Sequence, residues 1–270
     1  MLLARRTGAP EMGDVHDVSG TQARSMFPLL RPDADAVYIG GAARVDGRLL
    51  ASALARAAVR QGAVAREGEA KLACRSGRVA GVAVGDDFIG CDAVVVAAGA
   101  WTASFLQPVG LTVQVTAQRG QIMHISLGSV DTSRWPVVLP GAGGHYMLAF
   151  DDSRIVAGAT RETGSGFDYR VTPGGLAEIL GRALAVAPGL ASGTYLETRV
   201  GFRPLGPDIR PLLGPVPGAE GLVIATGLGA SGLTMGPYVG TVAALAALGL
   251  PSPIDLGPFD PLRVSAAFPD

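Results

Sequence analysis

Residues 222–234 read Leu222-Val223-Ile224-Ala225-Thr226-Gly227-Leu228-Gly229-Ala230-Ser231-Gly232-Leu233-Thr234. A short apolar run ends at a glycine-rich turn, and helical spacing takes over from about Leu233 to Leu248. That is the signature of a buried strand, a loop and a helix. Gly227 to Gly232 also has the form G-x-G-x-x-G. The full dinucleotide fingerprint needs a second strand ending in an acidic residue about 20 positions on. Here that distance falls in Leu248-Gly249-Leu250-Pro251, and the acid beyond it, Asp255, lies in a proline-rich tail. A primary nucleotide site is therefore disfavoured, but the physics of the loop stands. Glycines admit a ligand close to the backbone, and a helix N-terminus offers unpaired N–H groups with about half a positive charge. The bland alternative is a tight strand–helix turn. A serine hydrolase is excluded at Ser231, because a nucleophile elbow needs glycine two positions on and Leu233 stands there.

A second run has the same style. Asp92-Ala93-Val94-Val95-Val96-Ala97-Ala98-Gly99-Ala100-Trp101 is β-branched and continuous, as in a parallel, central strand buried on both faces. Between the two runs the pattern changes. Val113–Leu127, Gly144–Phe150, Arg154–Ala159 and residues near Tyr195–Phe202 read as strands of an antiparallel sheet, with a helix over Pro173–Val186. Ahead of the first run, an amphipathic helix is predicted from Arg48 to Gln61, its stripe made by Leu50, Leu54, Ala57 and Ala58. Strands Ala70–Arg75 and Val79–Val84 flank a hairpin turn at Ser76-Gly77. Residues 1–47 read as irregular. The fold class is α/β in two domains. A Rossmann-like domain over 45–110 and 215–255 is interleaved with an antiparallel-sheet domain over 1–44 and 111–214.

Composition narrows the function classes. Of 270 residues, 48% are hydrophobic and 17% charged, so the chain can bury a sizeable core. The net charge of −1 leaves no basic footprint for nucleic acid. The apolar run Thr241–Leu250 is too short to span a bilayer, and Arg5, Arg6, Gly8 and Pro10 do not make a secretion signal. A cytoplasmic protein is expected. Cys74 and Cys91 match no metal spacing, His16, His124 and His145 are scattered, and both cysteines read as small buried hydrophobes, so no metal site is expected.

Several motifs then follow in order: Val95 to Trp101, Gln118-Arg119-Gly120-Gln121, and Gly158-Ala159-Thr160-Arg161-Glu162. After them come Gly201-Phe202-Arg203-Pro204, then Asp208, Pro211, Gly214 and the Gly227 loop. This series, over roughly residues 25 to 250, resembles the FAD-dependent D-amino-acid oxidase superfamily, including glycine oxidase, sarcosine oxidase and D-amino-acid dehydrogenase. Val45-Asp46-Gly47-Arg48 also looks like that family's approach to a helix, with Gly47 where proline is usual.

The resemblance implies an oxidoreductase for a small amino acid or secondary amine. A hydride passes from the α-carbon to flavin N5, and the imine is then hydrolysed. Arg203 would pair with the substrate carboxylate, since its planar fork suits bidentate recognition and lysine's point charge does not. Tyr146 would line the substrate pocket. Ala70, Ala98, Gly99 and Trp101 would line the path of the FAD adenosine and phosphates. Gly229, Ala230, Ser231, Gly232, Leu233 and Thr234 would face the flavin, the helix dipole favouring negative charge on the reduced ring. No side-chain base is implied. Met235 could border the flavin or be core, and His145 is near the pocket by sequence alone. Because Arg203–Gly218 contains no cysteine, the FAD is expected to be non-covalent.

The departure from the pattern matters too. The family begins with a strand, G-x-G-x-x-G, a helix and a strand ending in an acid, about 90–100 residues without a counterpart before residue 48. The expectation is an N-terminally truncated chain with negligible FAD affinity and no amino-acid oxidation by itself. An inactive remnant, a partner-dependent subunit and a nicotinamide-dependent dehydrogenase are the alternatives. Substrate identity, electron acceptor and oligomeric state are not set by the sequence.

Overall fold

A computed structural model describes residues 13–141 and 144–264 of the chain. In chain order its strands and helices begin β1 (Val15–Val18), α1 (Gly20–Met26), β2 (Ala36–Ile39) and α2 (Gly47–Arg60). Next come β3 (Ala70–Arg75), β4 (Arg78–Val84), β5 (Asp87–Gly90), β6 (Val94–Val96) and α3 (Thr102–Leu106). Then follow β7 (Thr116–Ser126), β8 (Tyr146–Phe150), β9 (Arg154–Gly158), β10 (Glu162–Thr163) and α4 (Pro173–Val186). The series ends with β11 (Thr194–Leu205), β12 (Leu212–Val216), β13 (Ala219–Thr226) and α5 (Gly232–Ala247). Two compact units result: Met1–Arg44, Arg119–Glu162 and Asp168–Gly201 form the first, and Val45–Gln118, Thr163–Phe167 and Phe202–Asp270 the second.

In the first unit, β7, β8 and β9 pair antiparallel, with Ile122 and Tyr146 both opposite Gly158. Alternation sorts β8 into two faces. Met147 and Ala149 are buried with Ile155, Ala157, Phe27, Ile179 and Ala183, whereas Tyr146, Leu148 and Phe150 are half-buried on the opposite face. Helix α4 starts at Thr172, whose hydroxyl accepts from the Gly175 amide, with Pro173 in the first turn. The expectation that residues 1–47 are irregular is corrected for the described part; its first twelve residues lie outside it. Ser19 and Gln22 form a reciprocal capping box that starts α1, and β1 pairs with β2. The box was hidden from periodicity because α1 is only seven residues long.

In the second unit β13 is the central strand. It runs parallel to β6 (Leu222↔Val94) and antiparallel to β12 (Leu212↔Thr226). Its Leu222 and Ile224 join one core cluster with Leu72, Val96 and Leu106, and its Val223 joins another with Val239, Val242 and Ala243 of α5. It is the strand buried on both faces. The same expectation for residues 92–98 needs correction: β6 is parallel but three residues long, pairs only with β13 among the described strands, and leaves Val95 40% exposed. The Ser76-Gly77 hairpin is present, both residues at positive φ, as a tight turn between β3 and β4 requires.

Helix α2 forms where the amphipathic spacing predicts it. Asp46 caps it by accepting from the Arg48 and Leu49 amides, but none of its residues is buried. Leu54, part of its apolar stripe, is 52% exposed. Cys74 and Cys91 are half-buried free thiols rather than fully buried ones.

Candidate functional site

The glycine loop lies in the second unit, at the carboxyl ends of the parallel strands β6 and β13. In open α/β sheets that end is where ligands bind. The two strand ends are tied together: the Gly99 carbonyl accepts from the Thr226 hydroxyl at 3.0 Å and from the Thr102 hydroxyl at 2.8 Å. Gly227 and Gly229 adopt φ +74° and +51°, left-handed values that favour glycine. The Ser231 carbonyl accepts from the Thr234 and Met235 amides, which sets α5 in motion directly after the loop.

The end of β11 is fastened to this loop. The Gly229 amide donates to the Pro204 carbonyl at 2.9 Å, and Leu205 bridges to Leu228. Arg203, half-buried, is thus one residue from the loop contact. Gly47, in the first turn of α2, lies against Leu233: a Cβ there would come 3.1 Å from Leu233 Cδ2. The start of α2 therefore reaches the same place.

The cradle above the loop is open. A Cβ built on Gly99, Gly229 or Gly232 would meet nothing within 4 Å. The first N–H groups of a helix have no intrahelical acceptor. Open space beside bare backbone and a helix N-terminus fits a large planar, electron-rich group such as a flavin.

The second unit also carries an aromatic trio. Trp101 stacks on Phe167 with ring centroids 4.9 Å apart and planes at 18°. Phe202 meets Phe167 edge-on at 5.2 Å and Trp101 at 6.1 Å. Trp101 thereby touches the residue preceding Arg203. Phe167 was not foreseen. It sits in a short loop between Gly164 and Gly166 and Asp168, where no periodicity marks it.

The remaining expected cofactor residues divide. Ala98 precedes the turn of 3-10 helix at Gly99–Trp101 and packs against the core. Ala230, Ser231, Gly232, Leu233 and Thr234 form the loop end and first turn of α5, with Leu233 52% exposed. The Ser231 side chain makes no capping bond. Ala70, half-buried, opens β3 opposite Val84 of β4.

In the first unit, Tyr146 lies on the face of β8 away from α1 and α4. Gly158 makes room for it, since a Cβ there would come 3.1 Å from the Tyr146 hydroxyl oxygen. Its neighbour His145 points the other way. The buried His145 Nε2 is 3.2 Å from Glu178 Oε1 on α4, and burial, with Arg182 adding to it, pulls its pKa below the usual value. His145 is a packing residue.

Two quoted motifs turn out to be one buried polar network. Arg119 pairs with Glu162 and Asp168, and Gln121 Nε2 donates to Glu162 Oε1 at 2.8 Å and to the Thr172 hydroxyl at 3.0 Å. Thr160 donates to Glu162 at 2.6 Å. Burial pushes the Glu162 carboxyl up, but hydrogen bonds from Thr160, Gln121 and Arg119 outweigh it and hold the group below the ordinary range. A separate cavity of about 840 Å³, lined by Phe27, Leu30, Tyr38, Trp135 and Val186, lies on the helix side and does not include Tyr146. Among the described residues no cluster of His, Cys, Asp and Glu is placed to hold a metal, and no helix is long and apolar enough to cross a membrane.

Comparison with known proteins agrees with this geometry. Residues 2–246 match the family model described as FAD dependent oxidoreductase. An uncharacterized oxidoreductase of Bacillus subtilis, YurR, is 48% identical over 95% of this chain and 69% of its own length. Glycine oxidase of Geobacillus kaustophilus is 32% identical over 90% of this chain and 64% of its own. The crystal structure of iminodiacetate oxidase from Chelativorans sp. BNC1 superposes with a TM-score of 0.90 at 50% identity, covering 94% of this chain and 68% of that one. The chain thus spans about two thirds of the length of these relatives. It belongs to the FAD-dependent oxidoreductase family.

Proposed function

We propose that this chain carries the flavin-facing and substrate-facing parts of an enzyme that oxidises the C–N bond of a small carboxylate-bearing amine. Glycine and secondary amino acids of the iminodiacetate kind are the natural candidates, given what the similar proteins are named for. The observation that carries the reading is the bond from the Gly229 amide to the Pro204 carbonyl, because it sets Arg203 beside the glycine cradle.

Ala230, Gly232 and Leu233 would hold the cofactor, non-covalently, through backbone N–H groups, and Gly99 and Gly229 would admit it by close approach. FAD, when bound, supplies the acceptor for two electrons and the α-hydrogen. The residues of the chain do the positioning. Arg203 fixes the substrate carboxylate through paired N–H···O bonds, and Tyr146 forms part of the pocket wall. The N-terminus of α5 favours negative charge where electrons arrive. The C–N single bond becomes C=N as the α-hydrogen leaves with its electron pair and the nitrogen gives up a proton to water, and a second water then releases the carbonyl product and the amine.

The test is to add FAD or NADH to the protein and follow deuterium uptake at 97–101 and 227–234. With FAD in large excess, protection by FAD and not by NADH is expected, with further change on adding glycine or iminodiacetate. Protection by NADH would overturn the reading.

A further inference from the structure

Arg263 lies far along the sequence from every motif above, yet its guanidinium makes five hydrogen bonds. Nη2 and Nε donate to Asp208 Oδ1 and Oδ2 at 2.7 and 3.2 Å. Nη2 also donates to the Arg210 carbonyl at 2.7 Å, and Nη1 to the Pro211 and Asp260 carbonyls at 3.1 and 3.2 Å. The pair is well shielded, with side chains 14% and 24% exposed. A planar fork that bridges a carboxylate and three carbonyls is beyond lysine.

What this fork grips is the connection from β11 to β12. That loop leaves β11 directly after Arg203, Pro204 and Leu205, and rejoins the sheet at Leu212, opposite Thr226. Both of its ends abut the glycine loop. Pro204 accepts from Gly229, and a Cβ on Gly227 would come 3.2 Å from the Leu212 amide nitrogen. The tip of the connection has no apolar anchor, for Ile209 is 96% exposed. The bonds to Arg263, together with the Arg210 amide donating to Asp208 Oδ1 at 2.8 Å, are what fix its path.

We infer that Arg263 is a positioning residue. Acting through Asp208, it holds the Arg203–Leu205 strand end against the Gly227–Gly229 loop. The role in catalysis rests on the function proposed above, but the clamp itself can be tested without any ligand.

The experiment compares the wild-type chain with Arg263→Ala, Arg263→Lys and Asp208→Asn by hydrogen exchange. Segments 203–212 and 226–235 are read against 70–84 of the same unit. Loss of a charge-assisted, multiply bonded partner predicts exchange about tenfold faster or more in the first two segments for both Arg263 variants. Segment 70–84 should stay unchanged, and Asp208→Asn should fall between. An equal rise across all three segments would make Arg263 a general stabiliser, and no rise at 226–235 would also overturn the inference. In flavin-loaded protein, Arg263→Lys should raise KM for carboxylate substrates more than it lowers kcat. If NADH and not FAD protects the wild-type loop, the proposed function fails while the exchange result still decides the clamp.

Discussion

The Thr226 hydroxyl donates to the carbonyl of Gly99, 127 residues away in sequence, at 3.0 Å. It locks the ends of two parallel strands where they meet the glycine loop. Thr226 is 1% exposed, so this bond is made out of water. Thr226→Val keeps the shape and removes the donor. Gly99 retains the Thr102 hydroxyl, so the cost should stay near 0.5–1.5 kcal/mol. Urea denaturation measures it. A loss well above this range would show that Gly99 depends on Thr226 alone.

Glycine positions separate ligand space from folding strain. Gly229 has φ +51° with open space at its Cβ position, whereas at Gly221 a Cβ would sit 2.4 Å from the Asp92 carbonyl oxygen at φ +79°. Gly229→Ala should therefore cost only the left-handed penalty, about 1–2 kcal/mol, while filling part of the cradle and weakening FAD. Gly221→Ala should destabilise the second unit more and spare the cradle. Thermal melts and FAD titration on both variants give the comparison; the reverse ranking would displace the cradle from Gly229.

Much of this was legible in the sequence, for reasons that differ by residue. Leu222–Thr226 and Gly227–Gly232 announced a strand, loop and helix because apolar continuity and glycine are local signals. Strand β13 proved longer, from Ala219, because its first residues alternate like an ordinary loop. Arg119, Gln121 and Glu162 could be seen as motifs but not as one network, since their bonds span about 40 residues. Phe167 and Arg263 left no local trace. Each matters through partners distant in sequence, Trp101 and Asp208.

Arg203→Ala should lower kcat/KM for carboxylate-bearing amines roughly 10–150-fold in flavin-loaded protein, the equivalent of losing a charged hydrogen-bond partner worth about 1.5–3 kcal/mol. FAD affinity should change little. Steady-state kinetics against an amine lacking the carboxylate provide the control. Equal losses on both substrates would remove Arg203 from carboxylate binding.

Two acid steps in stability are expected. Burial, with Arg182 adding to it, depresses the His145 pKa, so the unfolded chain takes up that proton first. Stability then begins to fall as pH drops below about 6.5. The Arg263 hydrogen bond holds Asp208 below the ordinary range, and Asp208 contributes stability above about pH 4 that is lost as pH falls further. His145→Gln should flatten the first step, and Asp208→Asn should reduce the second, to which Glu162, Asp168 and Asp131 also contribute. Melting temperatures from pH 8 to pH 3 check both, and a single step left unaltered by either variant would contradict the assignment.

Helix α2 carries apolar side chains that the structure leaves at the surface. Leu49, Leu54 and Val59 are 68%, 52% and 49% exposed, and no residue of the helix is buried. Its cap at Asp46 and its first-turn contact with Leu233 tie it to the second unit at one end. If that is the whole of its attachment, replacing Leu54 with Gln removes little packing and should shift stability by no more than about 0.5 kcal/mol. Ile224, fully buried on the central strand, is the contrast. Ile224→Ala should cost about 2–5 kcal/mol through lost transfer energy and the cavity left behind. Chemical denaturation of the two variants, with size-exclusion chromatography alongside, measures both. A Leu54→Gln loss approaching that of Ile224→Ala would mean that the stripe is covered in solution, and a simultaneous change in elution volume would identify the cover as a second copy of the chain.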